Sequence, residues 1–472
     1  MSKTCRSLVT LPDELLAEVV HHCSAEDVLC LEMTCKQLSR MCNTRLVWLR
    51  LLHNLDVTCS PNLPLYQSCR DLTVNSLKTI VTDAVKCFHS WKKAGNLRVF
   101  HCLSLQVESP QNGSQIPMMA RLLPGGRQLL ILNSGRLELW SLKTVSCVWQ
   151  APEFHGGYQC SSFDFHMLEA GSDMYIVGDF IIPEDETTYL RVFRYRMEEG
   201  TADVVYEIGL PYTNIFRLSI QDDFCLAFLP HHFQTVIVNW RTKRGVFLTF
   251  VDSSGANINE DVRSPHIHSR YLLVTAKLRN DFSVVALPLS ILDVQWSSAS
   301  DYRIWNTFVY NLERGSVLTL SPVSNDGPWM LTTHLFTPTW IENAPTEIYI
   351  VGYGNLWEMP KVFLSFRVQL TSSSEGDDMP ADTLRPVLKS VTRSSAHRLP
   401  WDSHCVSNSG HVVCFRRNLR CFSLFSEEEQ PMAELELDMH EASQDEPVVT
   451  VEPWSGALVA STGNIVQIVH LR

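Results

Sequence analysis

Several things are missing from this 472-residue chain. No apolar run approaches the roughly 18 residues that a membrane-spanning helix needs. The first ten residues, Met1–Thr10, are polar and basic and hold no apolar segment of a secretory leader. No G-x-x-x-x-G-K-[ST] loop is present to cradle phosphates, and no G-x-S-x-G, H-E-x-x-H or G-x-G-x-x-G occurs. No basic stripe offers a face to duplex nucleic acid, and the formal net charge is −12. Enzymatic chemistry is therefore not expected. No cofactor and no metal is expected, and neither nucleic acid nor membrane is expected as a partner.

What is present is an ordinary globular composition, 45% hydrophobic and 19% charged. The length suits a small module followed by one large domain. Fifteen cysteines are scattered without the paired spacing of a disulfide scaffold. They read as reduced, small, mostly buried side chains of a cytoplasmic or nuclear protein. Charge is uneven. Residues 1–100 hold 12 Lys/Arg and 9 Asp/Glu, so the start is mildly basic and the rest acidic.

The first fifty residues have helical spacing. Thr10, with Pro12 and Asp13 behind it, is expected to cap a helix carrying Leu15, Leu16, Val19 and Val20. Ser24 and Asp27 repeat the capping pattern before a second helix with Val28, Leu31, Cys35 and Leu38. Asn43 is expected to cap a third, carrying Leu46, Trp48, Leu49, Leu51 and Leu52. Three such short helices bury little by themselves and need a partner. Cys23, Cys30, Cys35 and Cys42 lack the tight pairs of a zinc site.

The stretch "LPDELLAEVVHHCSAEDVLCLEMTCKQLSRMCNTRLVWLRLL" resembles an F-box. It supplies Leu11-Pro12, Glu14-Leu15-Leu16, Val19-Val20, Asp27-Val28, Leu31, Thr34-Cys35-Lys36, Leu46, Trp48 and Leu51-Leu52 in that family's spacing. It departs at Leu38, where the family often has Trp. The resemblance implies an F-box domain over 8–53 that docks a Skp-family adaptor, and through it a cullin scaffold. Leu11, Pro12, Leu15, Leu16, Val28, Leu31, Cys35, Lys36 and Trp48 would face the adaptor or brace the face that does. Paired Leu15→Asp and Leu16→Asp changes are then expected to abolish adaptor binding.

Residues 54–97 read as a helical linker, with Leu72, Leu77, Ile80, Val81, Ala84, Val85 and Phe88 at helical spacing. From 98 to 472 the pattern turns to short Val/Ile/Phe/Tyr/Leu runs between Gly, Pro, Asn, Asp and Ser, the signature of an all-β region. Ends of hydrophobic strand pairs fall at Trp140, Tyr195, Trp240, Leu287, Arg367, Leu424 and Leu471. The intervals are 55, 45, 47, 80, 57 and 47 residues. One propeller blade takes roughly 40–50 residues, so the spacing predicts about seven blades, with an insertion within 290–345.

"GRLELWSL" (135–142) is similar to the end of a WD-repeat blade, with Ser141 where the repeat has Asp. The chain resembles F-box proteins with a degenerate WD-repeat-like β-propeller, a type common in mushroom-forming fungi. That resemblance implies a substrate-recognition subunit of an SCF-type ubiquitin ligase acting in ubiquitin-dependent degradation, with the propeller binding a target protein. An interaction scaffold without ubiquitin transfer, or a propeller enzyme or sugar binder, are the alternatives.

Two basic clusters, Arg241, Lys243 and Arg244, and Arg416, Arg417 and Arg420, are candidate target contacts, because guanidinium groups fork anionic oxygens. His266 and His268 share a strand face, and His231-His232 are adjacent, but surface or loop placement is the expectation for both pairs. The acidic segments 371–386 and 425–447 read as exposed loops.

Overall fold

The computed structural model describes residues 11–53, 55, 72–92, 99–107 and 118–152, most of 159–322, and little beyond the strands themselves from 330 onward. Five helices come first: α1 (Asp13–His21), α2 (Ala25–Glu32), α3 (Lys36–Cys42), α4 (Arg45–His53) and α5 (Val74–Lys92). None of them is long and apolar enough to cross a membrane.

The second expected helix is in fact two. Thr34 turns its hydroxyl onto the Leu31 carbonyl at 2.7 Å. Cys35 then adopts an extended backbone (φ −155°, ψ 162°) and caps α3 from outside. A β-branched residue whose hydroxyl competes for a helix carbonyl is a common place for such a break. Two caps also differ from expectation. Pro12, not Thr10, stands at the N-cap of α1, where no side chain caps it; Thr10 lies outside the described residues. Asn43 ends α3 rather than starting α4, and its amide donates to Ser39 O and Glu32. The Ser24–Asp27 capping box is present as read.

α5 shares a core with the helices before it. Leu72, Leu77, Val81 and Ala84 are buried in one cluster with Val20, Val28, Cys42, Trp48 and Leu52. Lys78 of α5 reaches Glu32 at 2.5 and 2.7 Å and lies 5.8 Å over the Trp48 ring. The segment read as a linker is thus packed onto the helices it follows.

The remainder is β-rich and resembles propeller folds. A strand β1 (Val99–Gln106) precedes a first sheet of β2 (Met119–Leu122), β3 (Gln128–Asn133), β4 (Arg136–Ser141) and β5 (Ser146–Gln150). The second is β6 (Gln159–Met167), β7 (Asp173–Ile182), β8 (Thr187–Arg196) and β9 (Thr201–Leu210). The third is β10 (Arg217–Gln221), β11 (Phe224–Leu229), β12 (Gln234–Asn239) and β13 (Arg244–Val251). The fourth begins with β14 (His266–His268), β15 (Tyr271–Leu278) and β16 (Asp281–Pro288). Its chain then leaves through β17 (Ser297–Ser298) and β18 (Thr307–Asn311) before completing the sheet with β19 (Ser316–Pro322).

The fifth is β20 (Met330–Phe336), β21 (Thr346–Tyr353), β22 (Phe363–Ser373) and β23 (Arg385–Ser394). The sixth is β24 (His404–Val406), β25 (His411–Phe415), β26 (Leu419–Ser423) and β27 (Ala433–Leu435). The last has β28 (Val448–Val451), β29 (Leu458–Thr462) and β30 (Ile465–Leu471), and β1 joins it as the fourth strand by pairing with β30. The start of the β region is thereby tied to its end.

Trp140, Tyr195, Leu287, Arg367 and Leu471 lie on the third strands of five sheets, and Trp240 lies one residue past that of another. Leu424 directly follows β26 and lies outside the described residues. The long interval has a cause: 27 residues, 289–315, stand between β16 and β19. In that insertion β17 pairs antiparallel, and β18 parallel, with β13 of the neighbouring sheet. Trp305 anchors it against Phe247, 5.6 Å between ring centroids. Gly245 makes room, since a Cβ there would stand 2.3 Å from the Trp305 ring.

Successive sheets pack face to face. One buried cluster joins the first and second sheets, a second the second and third, and another the third and fourth. A further cluster places Leu105, Val459, Val466 and Ile468 of the last sheet against Ala120, Leu122, Leu129 and Ile131 of the first. Middle strands are covered on both sides, which is why "DMYIVGDFII" is buried almost throughout instead of alternating, Asp179 included. The outer strand β5 is largely exposed. A tight turn at Ser134 and Gly135, both with positive φ (48° and 82°), joins β3 to β4 as a two-residue hairpin requires.

Candidate functional site

The helical module presents its chemistry through position rather than reactive groups. On α1, Leu16 and Val20 face the core, while Leu15 and Val19, one turn apart, face out at 53% and 37% exposure. Met33, in the break after α2, is 88% exposed, and Leu46 at the start of α4 is 74% exposed. Four large apolar side chains are thus left on the solvent-facing surface of this small module.

The nine residues singled out from the sequence divide into two sets. Leu16, Val28 and Trp48 are fully buried and act as bracing. Pro12, Leu15 and Lys36 are exposed, and Leu11, Leu31 and Cys35 are half-buried. Met33, Val19 and Leu46 were not on that list. Periodicity put Val19 and Leu46 on helices without saying which side each faced. Met33 became visible only with the break at Thr34.

The paired Leu15→Asp and Leu16→Asp test cannot separate docking from folding, because Leu16 is fully buried. A carboxylate there would be desolvated inside the module.

Electrostatics hold this surface in place. Glu32 accepts from Lys78 and from Asn43, whose amide stands 2.8 Å away. These bonds, Lys78 first, hold its carboxyl below the usual range. Asp27 is likewise lowered by the hydrogen bonds of Ser24. Burial raises the Cys42 thiol, which disfavours its thiolate.

The first basic cluster lies on the turn between β12 and β13. Arg241 pairs with Asp223 at 3.0 Å and stacks 5.7 Å over Trp240, and Lys243 occupies a left-handed backbone (φ 55°). Arg416 and Arg417 fall outside the described residues, in the segment joining β25 to β26, and Arg420 is on β26. The two clusters are thus on different connections: one leaves the third strand of its sheet, the other enters it.

His266 and His268 are on β14. Burial pushes the His268 imidazole down to about 4, against a smaller upward pull from Asp222. Asp222 also holds His166 at 3.2 Å. No cluster suited to a metal ion occurs among the described residues. His231 and His232 lie outside them, as do most of 371–386 and 425–447.

The described residues thus fall into two parts, a helical module and a larger β-rich region. The comparisons give the module its family. Residues 8–54 match the model of the F-box-like family. An F-box of this kind suggests an SCF substrate-adaptor role, and F-box domains typically bind a Skp adaptor. None of the curated proteins matches the chain.

Solved structures similar to the chain include the WD40 domain of SCAP from fission yeast, at 8% identity over 75% of this chain and 81% of that one, TM-score 0.40. The α-L-arabinanase of Penicillium chrysogenum is 12% identical over 78% and 98%, TM-score 0.36. The GH93 α-L-arabinofuranosidase of Fusarium graminearum is 10% identical over 79% and 97%, TM-score 0.36. The reading of the β region rests on its strand order and not on these likenesses.

Proposed function

We propose that this protein is a substrate-recognition subunit of an SCF-type cullin–RING ubiquitin ligase. The helical module docks a Skp-family adaptor through Leu15, Val19, Met33 and Leu46, with Leu11, Pro12, Leu31, Cys35 and Lys36 around them. Leu16, Val28 and Trp48 hold that face in shape. The seven sheets form a closed seven-bladed propeller, with β1 as the outer strand of the last blade. The propeller binds a target protein and brings its lysines near the ubiquitin carrier, so that the contribution to catalysis is proximity.

The observation that carries this reading is the coincidence of an F-box-like match over 8–54 with exposed apolar side chains on that same segment. Arg241, Lys243, Arg244 and Arg420 are the candidate target contacts among the described residues. Arg241, already tied to Asp223, is the less available for a target.

The test is co-purification of the full chain with a Skp-type adaptor. Wild type is expected to give a one-to-one complex, and a Leu15→Asp, Leu46→Asp variant to give none while keeping its circular dichroism. No complex with the wild-type chain at micromolar concentrations would overturn the adaptor role.

A further inference from the structure

We propose that His101 and His470 form a binding site for one divalent transition-metal ion, of the kind of zinc or nickel, across the seam where β1 joins β30. This does not depend on the adaptor role proposed above.

Strand register makes the pair. β1 and β30 run antiparallel, and His101 stands directly opposite His470. The two rings are 5.9 Å apart between centroids and tilted by 40°. Directly opposite residues of such strands hold their Cβ atoms roughly 5 Å apart on one face of the sheet. Two imidazoles that share a tetrahedral ion, each nitrogen about 2 Å from it, have centroids about 5 Å apart. Small side-chain rotations therefore close this pair onto an ion. Each imidazole has two nitrogens, so one can hold the ion while the other keeps a hydrogen bond that orients the ring.

The strands also fix where the pair stands. On the same face, Leu103 and Leu105 follow His101, and Val466 and Ile468 precede His470. These four belong to the apolar cluster that packs the last sheet on the first. His101 is exposed and His470 half-buried. The histidines thus lie where a packed face runs out into solvent, held from behind and open to an ion in front. The register of the two strands shifts between Val99 and His101. Irregularities of this kind bend a strand and re-aim a side chain, and this one adjoins the pair.

The donor set selects the ion. β1 and β30, VFHCLSLQ and IVQIVHL, contain no Asp or Glu. Calcium and magnesium take oxygen ligands, whereas imidazole suits zinc, copper and nickel. Cys102 is exposed but follows His101 directly, so it points to the other face. The site has two protein ligands and leaves the remaining positions to water. It is smaller than a cluster of three or more His, Cys, Asp or Glu, and no such cluster occurs among the described residues. One ligand comes from the first strand of the β region and the other from its last. A bound ion therefore clamps the start of that region to its end and stabilises the folded form.

The experiment is calorimetric titration of NiCl2 into the full-length, untagged, metal-stripped protein with its cysteines kept reduced, with thermal unfolding followed in parallel. Wild type is expected to bind about one equivalent and to unfold at a temperature that rises with nickel concentration. MgCl2 should do neither. His101→Gln and His470→Gln should each bind at least about tenfold more weakly, because a single imidazole loses the advantage of the joined pair. Without nickel both variants should unfold close to wild type, which separates lost binding from lost folding. Cys102→Ser should bind as wild type does. The chain holds 17 histidines and 15 cysteines, so these variants are what assign the site. Absence of a saturable nickel site in wild type, undiminished binding in either histidine variant, or loss of binding in Cys102→Ser would overturn it.

Discussion

The helical module and the β-rich region bury their residues by opposite strategies. In the module, neighbours in sequence part company: Leu16 is fully buried and Leu15 is mostly in solvent. In the β region whole runs go under together, as in Ile176 and Val177 or Leu129 to Leu132. A helix of nine residues has one side against a core and one side free. A middle strand sandwiched between packed sheets has no free side. The difference teaches where a functional surface can sit. The module leaves Leu15, Val19, Met33 and Leu46 in solvent, a reserve available to a partner, whereas the middle strands of the first four sheets bury most of their apolar side chains against their neighbours.

The contrast can be broken most severely at Leu16. Leu16→Asp puts a carboxylate at a fully buried position of α1 and is expected to cost about 4 kcal/mol or more. Loss of helical signal with retention of the β-region transition in calorimetry would show that the two regions stand on separate cores.

Acid sharpens the comparison on the sheet side. The folded-state pKa of His268, about 4, lies below its ordinary 6.5. Between those values the unfolded chain takes up a proton that the folded chain refuses. Stability therefore rises from pH 4 to 6.5 and is flat above it, by about 3 kcal/mol in all. Asp222 and His166 face this group, and Asp222, held low by His166, adds a loss in the same direction at lower pH. The denaturant midpoint should rise with pH across that window in wild type and rise less in His268→Gln.

A smaller effect is expected at Gly245, where valine would press on the Trp305 ring. Gly245→Val should cost about 1–3 kcal/mol and release 289–315 from the third sheet. Faster proteolysis within that segment, with the helical module unaffected, is the readout. The smallest change in stability belongs to the reserved surface. Leu15→Asp, Met33→Asp and Leu46→Asp should each shift unfolding by no more than about 0.5 kcal/mol, while adaptor capture falls.

How much of this was legible beforehand varies with the distance over which each feature is decided. The Ser24–Asp27 capping box spans three residues and is present as read. The markers Trp140, Tyr195, Leu287 and Leu471 were legible too, because apolar residues recur near the ends of those third strands. The Thr34 break was not, since the pattern of Val28, Leu31, Cys35 and Leu38 continues across it and a single hydroxyl decides the outcome. Gly245 gave no hint that it makes room for Trp305, sixty residues away.

The sequence alone determined the local matters: which segments are helix or strand, the F-box-like pattern over the first fifty residues, and the near-regular spacing of the strand groups. Capping, periodicity and turn chemistry act within a few residues, so they can be read in one dimension. Tertiary structure alone decided which leucines are reserve and which are core, that α5 packs onto the module it follows, and that β1 completes the last sheet. It also brought Arg121 and the Ile220 amide onto Asp164. These depend on contacts between residues tens to hundreds of positions apart, and such contacts leave no periodic trace along the chain.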